Sequence, residues 1–494
     1  MAAALDNPPP SRDSVIMTDV LIVQPPVSFT NRGANYNYDS VGGIGMAYLL
    51  EILRRAGISC RAISNHKAQL SMEQLLDICE RDKVKILGLS AFTAQIRSAV
   101  LLAQAAKNRF GDRLHVTLGG VHIGVDPDIV RRYSCFDSGA VGECEEFIVE
   151  FVSRILAGEK LCGVHYAKAP QNLDALPFPN YAGVENSGFD YRDLVEILAT
   201  RGCPHRCGYC CSPFRKEKVR GRSPENIVAE MKERIRHGTR EMFFTDDAAT
   251  INKKRVIEMC EIMRREGLKL KFHMITRVDY LNEEVVRALK MAGCRSLMLG
   301  IESGNERIRN ESIGKRLKDE AIFTGMALLR KYNIQTDLFF MIGHPGETED
   351  DIRQSIEFPY RLEKAGLTNI QQAGYHLSWP FPGTEYFQWC VRHGQFSESL
   401  VDDYIAGKLG DGFTGHWPYL IPEGLTLEKM LRYRDEAHRR FYLRPRYIAR
   451  RFFYHLTEPK KLLGDFKNGL SVLRRGTSAR EVDYGQPTTQ TAAA

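Results

Sequence analysis

Residues 201–214 read RGCPHRCGYCCSPF. Cys203, Cys207 and Cys210 are spaced C-x3-C-x2-C, and they follow an apolar run at 195–199 that reads as a strand. Three thiolates on one short loop can converge on a single iron–sulfur cluster. Such clusters are normally fully thiolate-ligated, so three ligands for four irons leave one iron open to a chelating cofactor. Tyr209, just before the third cysteine, supplies an apolar shoulder. The alternatives are a structural zinc site or chance. Zinc asks for a fourth ligand and paired CxxC spacing, and His205 stands at an awkward offset for it. Cys211 falls outside the spacing and reads as a packed or bystander thiol.

Outward from this loop the pattern alternates between strand and helix. Downstream strands are expected at 242–245, 270–275, 297–301, 337–342 and 371–377, with amphipathic helices between them, such as 224–237 and 283–291. Six strand–helix units suit a partial (β/α)6 barrel, whose chemistry lies on the loops after the strand C-termini. Upstream, short strands at 20–23, 60–63, 86–90, 116–118 and 138–141 alternate with helices at 45–56, 72–81, 95–110 and 145–156. That argues for a Rossmann-like domain with a parallel sheet. The fold class is therefore α/β. The expected divisions are a disordered lead at 1–16, the Rossmann-like domain at 17–157, a Pro-, Asn- and Gly-rich linker at 158–193, the barrel at 194–396, a C-terminal helical cap at 397–476 and a disordered tail at 477–494.

Bulk properties agree. With 494 residues, 43% hydrophobic and 26% charged, the chain has the composition of a multidomain globular protein. No apolar run is long enough to span a bilayer, and Met1 to Ser14 lacks the apolar core of a secretory signal, so the expected location is cytoplasmic. Twelve cysteines in such a chain read as metal ligands or catalytic groups rather than a disulfide framework. The net charge of +7 is concentrated between Arg439 and Arg475, where eleven Lys and Arg face only Glu458 and Asp465. Aromatics interleave there, and the expectation is a cap whose rings pack on the barrel while its arginines face solvent or pair with carboxylates. A membrane surface is possible but not favoured, and no nucleic-acid module stands beside the patch.

The cysteine spacing with its aromatic, C-x3-C-x-aromatic-C, resembles the radical-SAM superfamily. The resemblance implies a 4Fe–4S cluster on Cys203, Cys207 and Cys210 whose open iron chelates S-adenosylmethionine, and a 5′-deoxyadenosyl radical as the reactive species. By the same resemblance the loop Thr245-Asp246-Asp247, Arg277 and Glu302-Ser303-Gly304 would bind S-adenosylmethionine. The family more often has Gly-Gly-Glu where Thr245-Asp246-Asp247 stands. The strand-end runs GHPGET from Gly343 and PFPGT from Pro380 complete the likeness to radical-SAM proteins that carry a cobalamin domain.

In the N-terminal domain, LGLSAFT from Leu87, LGGVH from Leu118 and VGECEE from Val141 resemble the cobalamin-binding domains of that subgroup. Ser90, Thr93, Gly119, Gly120, Gly142 and Glu143 are carried over as cobalamin-binding. Cys144 departs from the usual glycine. No Asp is followed two residues later by His, so the Asp-x-His-x-x-Gly lower ligand is missing, and cobalamin is expected without a protein histidine on cobalt. His122 is a possible substitute but reads better as a hydrogen-bonding residue. A second cluster on the N-terminal cysteines is not expected, because Cys60, Cys79, Cys135 and Cys144 do not share one rim.

The function this implies is a cobalamin-dependent radical-SAM methyltransferase. It would methylate an unactivated carbon of a small-molecule or lipid-like metabolite, through the 5′-deoxyadenosyl radical and methylcobalamin. An electron donor such as flavodoxin or ferredoxin is implied. The alternative is a cyclase or ring-rearranging enzyme of the same architecture. A cobalamin-binding sensor or carrier would not need the three-cysteine loop.

Overall fold

The computed structural model describes residues 17–30, 43–65, 70–187, 189–192, 194–212, 218–410 and 417–454. The expected lead and tail, and the basic segment beyond residue 454, lie outside them. Within the described residues the chain forms two compact units. One comprises 17–171, 175–189 and 405–410; the other comprises 172–174, 190–404 and 417–454.

The first unit is built on seven parallel strands: β1 (Val20–Gln24), β2 (Cys60–Ser64), β3 (Ile86–Ser90), β4 (His115–Gly119), β5 (Ser138–Val141), β6 (Gly163–Tyr166) and β7 (Val184–Glu185). Their order is β6-β5-β4-β3-β1-β2-β7. Val20–Gln24 is buried along its whole length, as a central strand of a parallel sheet covered on both faces must be. The crossovers include α1 (Ile44–Arg55), α2 (Met72–Arg81), α3 (Ile96–Phe110), the short α4 (Val121–Val125) and α5 (Ile148–Leu156). Ser71 and Gln74 start α2 with reciprocal side-chain caps. The segment 158–193, expected as a linker, instead supplies β6 and β7. Neither carries an apolar run of its own, and their pairing with β5 and β2 makes them strands. Strand order reverses between β1 and β3, which places a ligand crevice at the C-terminal ends of those two strands.

The second unit holds six parallel strands in sequential order. They are β8 (Leu194–Ile197), β11 (Glu241–Phe244), β12 (Lys271–Thr276), β13 (Cys294–Glu302), β14 (Gln335–Ile342) and β15 (Ile370–Leu377). A two-stranded antiparallel ribbon, β9 (Thr200–Arg201) with β10 (Arg220–Gly221), was not foreseen; it closes the base of the cysteine loop. Between strands run α6 (Pro224–Arg236), α7 (Lys253–Arg265), α8 (Glu283–Ala292), α9 (Asp319–Lys331) and α10 (Glu349–Lys364). Ser223 caps α6 with Pro224 at its first position, and Gly293 ends α8 in the left-handed conformation.

Burial alternates along β12, β14 and β15. Phe272, Met274, Leu338, Phe340, Ala373 and Tyr375 are buried under the helices; Phe340 lies edge-on to Phe358 of α10. The opposite face, with His273, Met298, Phe339, Met341 and His376, is partly exposed and lines the inside of the barrel.

The helical cap follows, with α11 (Glu385–Arg392), α12 (Leu427–Tyr442) and α13 (Pro445–Tyr454). α12 covers the open edge of the sheet. The N–H of Tyr375 donates to His438 Nε2 (3.2 Å), and Ala373 exchanges hydrogen bonds with the Tyr442 hydroxyl (3.3 and 3.1 Å). An edge strand exposes such groups, and here side chains satisfy them. Phe441 is buried, and Arg440 and Arg444 pair with Glu357 and Glu363. Phe441 thus packs and these two arginines pair, as expected, whereas Phe452 of the same patch is 47% exposed.

Candidate active site

The cysteine loop leaves the ribbon at Gly202. Its φ of +102 and its approach to Lys218 O, which a Cβ would meet at 2.7 Å, make glycine necessary. The Cys210 N–H closes a turn on Cys207 O (3.0 Å). Gly208 anchors the loop to two others: its N–H donates to Ile313 O (2.9 Å), and its carbonyl accepts from Tyr386 N (3.1 Å). The Tyr386 hydroxyl meets His344 Nδ1 (2.8 Å). The GHPGET and PFPGT strand-end loops thus hold the cysteine loop from behind. Cys207 packs on Ile308 and Ile313, with Tyr209 and Cys210 at the margin.

Cys203, Cys207, Cys210 and Cys211 carry no disulfide. Burial raises the first three thiols, Cys210 to about 12, while Lys315 and Arg277 pull Cys203 and Cys207 back down. Such thiols become thiolates only when a cation binds them, which is what metal coordination provides. Among the described residues no three His, Cys, Asp or Glu side chains close on a single ion. His205 is turned to the Tyr280 hydroxyl. Three uncrosslinked, desolvated thiols on one anchored loop fit a cluster.

Tyr209 does more than shoulder the loop. Its hydroxyl donates to Glu302 Oε1 (2.8 Å), which also accepts from Lys315 Nζ (2.7 Å). Burial and the Glu302 charge keep the phenol protonated, well above its ordinary value. Glu302 ends β13 at φ +68, a left-handed conformation that costs on the order of 1–3 kcal/mol in a non-glycine residue.

The remaining sequence-derived residues divide. Thr245 caps the strand end on Ile197 O. Asp246 is wholly buried and accepts from Ala199 N (3.2 Å) and the Thr200 hydroxyl, so it pins the strand exit. Its neighbour Asp247 faces the cysteine loop instead, accepting from Ser212 Oγ (3.0 and 2.9 Å), whose own N–H approaches Cys210 Sγ (3.4 Å). Arg277 is bound to Asp279 (3.0 and 2.8 Å) and to Lys315 O (2.9 Å). Ser303 is buried against Ser355 of α10 (3.2 Å). Asp247 was named only as part of its loop, and Lys315 and Tyr386 were missed. Tyr386 had a signal, two residues after PFPGT; Lys315 had none.

In the first unit, the strand-end residues Ser90, Gly119 and Gly120 come together on the rim. Ala91 N donates to Gly119 O (3.1 Å), and His122 N to Ala91 O (3.0 Å). Gly120, at φ +85, lies so close to this loop that a Cβ would be 2.5 Å from Ala91 N. At Gly119 the nearest atom to such a Cβ is Leu89 O at 3.9 Å, an ordinary contact, so the backbone there is less tightly packed. Phe92, between Ser90 and Thr93, is 51% exposed. A switch-point rim with a less tightly packed glycine and an exposed ring fits a large planar ligand. Gly142, at φ +101, turns the chain toward the half-buried Glu143 and Cys144.

Thr93 points inward, its hydroxyl 3.1 Å from His122 Nδ1. His122 is 0% exposed, and burial lowers its pKa to about 4. His122 Nε2 makes no hydrogen bond, but the ring is neutral and closed off from solvent, which suits a packing group better than a metal ligand. An electron paramagnetic resonance spectrum of the Co(II)-cobalamin-loaded protein is therefore expected to show no superhyperfine splitting from a protein nitrogen, and His122→Ala to leave it unchanged. Splitting that His122→Ala removes would reverse this assignment.

The radical SAM superfamily profile matches residues 197–358, and that of the B12 binding domain matches residues 37–152. A protein of Pyrococcus horikoshii described as an uncharacterized methyltransferase is 26% identical over 431 residues, 83% of this chain and 90% of its own length. The anaerobic magnesium-protoporphyrin IX monomethyl ester cyclase of Rubrivivax gelatinosus is 24% identical over 470 residues, 89% of this chain and 80% of its own. Among solved structures, the radical S-adenosylmethionine methyltransferase TsrM of Kitasatospora setae, with cobalamin and a [4Fe-4S] cluster bound, superposes with a TM-score of 0.61 at 17% identity, covering 76% of each chain. That last likeness is one of fold.

Proposed function

The chain is a radical SAM protein that carries a B12 binding domain ahead of its barrel, and from that premise we propose that it is a cobalamin-dependent methyltransferase acting on an unactivated carbon of a small-molecule or lipid-like metabolite. The observation that carries this reading is the pairing, in one chain, of an anchored three-thiol loop at the barrel strand ends with a glycine-lined rim at the switch point of a parallel sheet. When bound, a 4Fe–4S cluster supplies the electron that cleaves S-adenosylmethionine, and cobalamin supplies methyl transfer.

In this reading Cys203, Cys207 and Cys210 hold the cluster. Glu302, fixed by Tyr209 and Lys315, would help hold S-adenosylmethionine, and Asp247 stands on the cysteine side of the same loop set. Arg277 and Ser303 act on the site by bracing Lys315 and the loop after β13. Ser90, Phe92, Gly119, Gly142 and Glu143 form the cobalamin rim, with Gly120, Thr93 and His122 packing beneath it. The half-exposed inner wall of the barrel is the substrate compartment. We place the protein in the cytoplasm with a flavodoxin- or ferredoxin-like electron donor and no nucleic-acid partner, and we do not favour membrane contact. No described helix is long and apolar enough to cross a membrane.

The likeness to a cyclase supports a second reading, ring closure on the same architecture. Product analysis separates the two. Anaerobically reconstituted enzyme turning over its substrate is expected to form S-adenosylhomocysteine together with 5′-deoxyadenosine. Formation of 5′-deoxyadenosine alone would favour the cyclase.

A further inference from the structure

Deep on the inner wall of the barrel sits a carboxylate with no partner. Asp337, third residue of β14, lies opposite Met298 of β13 and Gln372 of β15, so it shares the inward face with Phe339 and Met341. It is only 4% exposed, and Oδ1 accepts no hydrogen bond. His273 and Arg451 act on it through space alone, and burial raises its pKa to about 6. A buried acceptor left unpaired costs free energy, and a fold keeps one where something else completes it.

Beside it runs a hydrogen-bonded line across three strands. His273 Nδ1 meets Ser296 Oγ (2.6 Å), and His273 Nε2 meets Glu241 Oε1 (2.7 Å). Both ring nitrogens are used, so His273 has no proton left for Asp337. The line instead brings a second carboxylate to the same wall. A buried carboxylate lacking a donor asks for a group with several N–H bonds and a positive charge.

We propose that Asp337, with the Glu241–His273–Ser296 line beside it, is a recognition subsite for an organic ammonium or amidinium head group of the substrate. This rests on the barrel interior being the substrate compartment. Ile342, at the end of β14, is five residues further on, about 16 Å of strand. A head group seated at Asp337 therefore belongs to an elongated substrate whose far end reaches the strand-end loops.

The probe is hexylammonium, with 1-hexanol as its uncharged counterpart, titrated into the full-length reconstituted protein without S-adenosylmethionine. Hexylammonium is expected to raise Tm saturably, and hexanol not to. Asp337→Asn is expected to weaken the response at least tenfold and Glu241→Gln to weaken it less. Because Asp337→Asn removes an unpartnered charge, its ligand-free Tm should equal or exceed that of the wild type. An equal response to the two probes, no saturable response, or one that survives in Asp337→Asn would overturn the proposal. So would an Asp337→Asn Tm lower by more than about 5 °C, which would mark the residue as structural. Uncoupled 5′-deoxyadenosine formation by the wild type tests the radical-SAM reading separately, so the two cannot fail unnoticed together.

Discussion

Cys203→Ala, Cys207→Ala and Cys210→Ala are each expected to bring 5′-deoxyadenosine formation to background, whereas Cys211→Ala retains it. The three thiols lie on one loop held by the ribbon, by Ile313 and by Tyr386, and each is desolvated enough to stay protonated until a cation binds. With two thiolates left, the loop cannot hold a site-differentiated cluster, and the electron that cleaves S-adenosylmethionine has no source. Cys211 follows the turn that Cys210 N closes on Cys207 O and lies outside the spacing. The measurement is chromatography of 5′-deoxyadenosine after anaerobic reconstitution and chemical reduction, alongside the spectrum with and without S-adenosylmethionine. Full cleavage by Cys210→Ala would mean that the cluster is held elsewhere.

The second large effect is expected at a residue with no side chain to ligate a metal. A Cβ on Gly208 would stand 2.9 Å from the Tyr386 ring. That ring cannot retreat, because its hydroxyl is bonded to His344 and its own N–H to Gly208 O. Valine at 208 must therefore displace the loop between Cys207 and Cys210. Overpacking of this kind costs about 1–3 kcal/mol, enough to lower cluster loading roughly tenfold or more while the rest of the barrel folds. Iron and sulfide analysis should show the loss, with far-ultraviolet circular dichroism unchanged. A Tyr386→Ala background should restore part of the loading. Loading equal to wild type in Gly208→Val alone would show that the loop is not gripped as described.

Much of this architecture was readable before any coordinates. Hydrophobic alternation located the six barrel strands and five of the seven strands in the first sheet, and the GHPGET and PFPGT runs marked loops that do meet behind the cysteines. β6 (GVHY) and the two-residue β7 escaped because they lie in a Pro-, Asn- and Gly-rich stretch without an apolar run, and only their partners make them strands. The covering of the sheet edge by His438 and Tyr442 also carried no local signal; it exists because β15 is the last strand and α12 lies along it.

By itself the sequence determined the order of elements, the thiol spacing and the missing Asp-x-His ligand, because each is a matter of neighbours along the chain. The tertiary structure alone decided which side chains are spent and which are available. Asp246 and Asp247 are adjacent and chemically alike, yet one pins Ala199 and the other faces Ser212 beside Cys210. Arg277 looked like a ligand-binding cation and is tied to Asp279, while Lys315, unmarked in sequence, reaches Glu302. His122 is closed off from solvent with Thr93 on its Nδ1, and Asp337 Oδ1 is left without a donor. Burial and hydrogen-bond partners are set by residues far away in the chain, and those partners determine whether a polar side chain serves the fold or is available to a ligand.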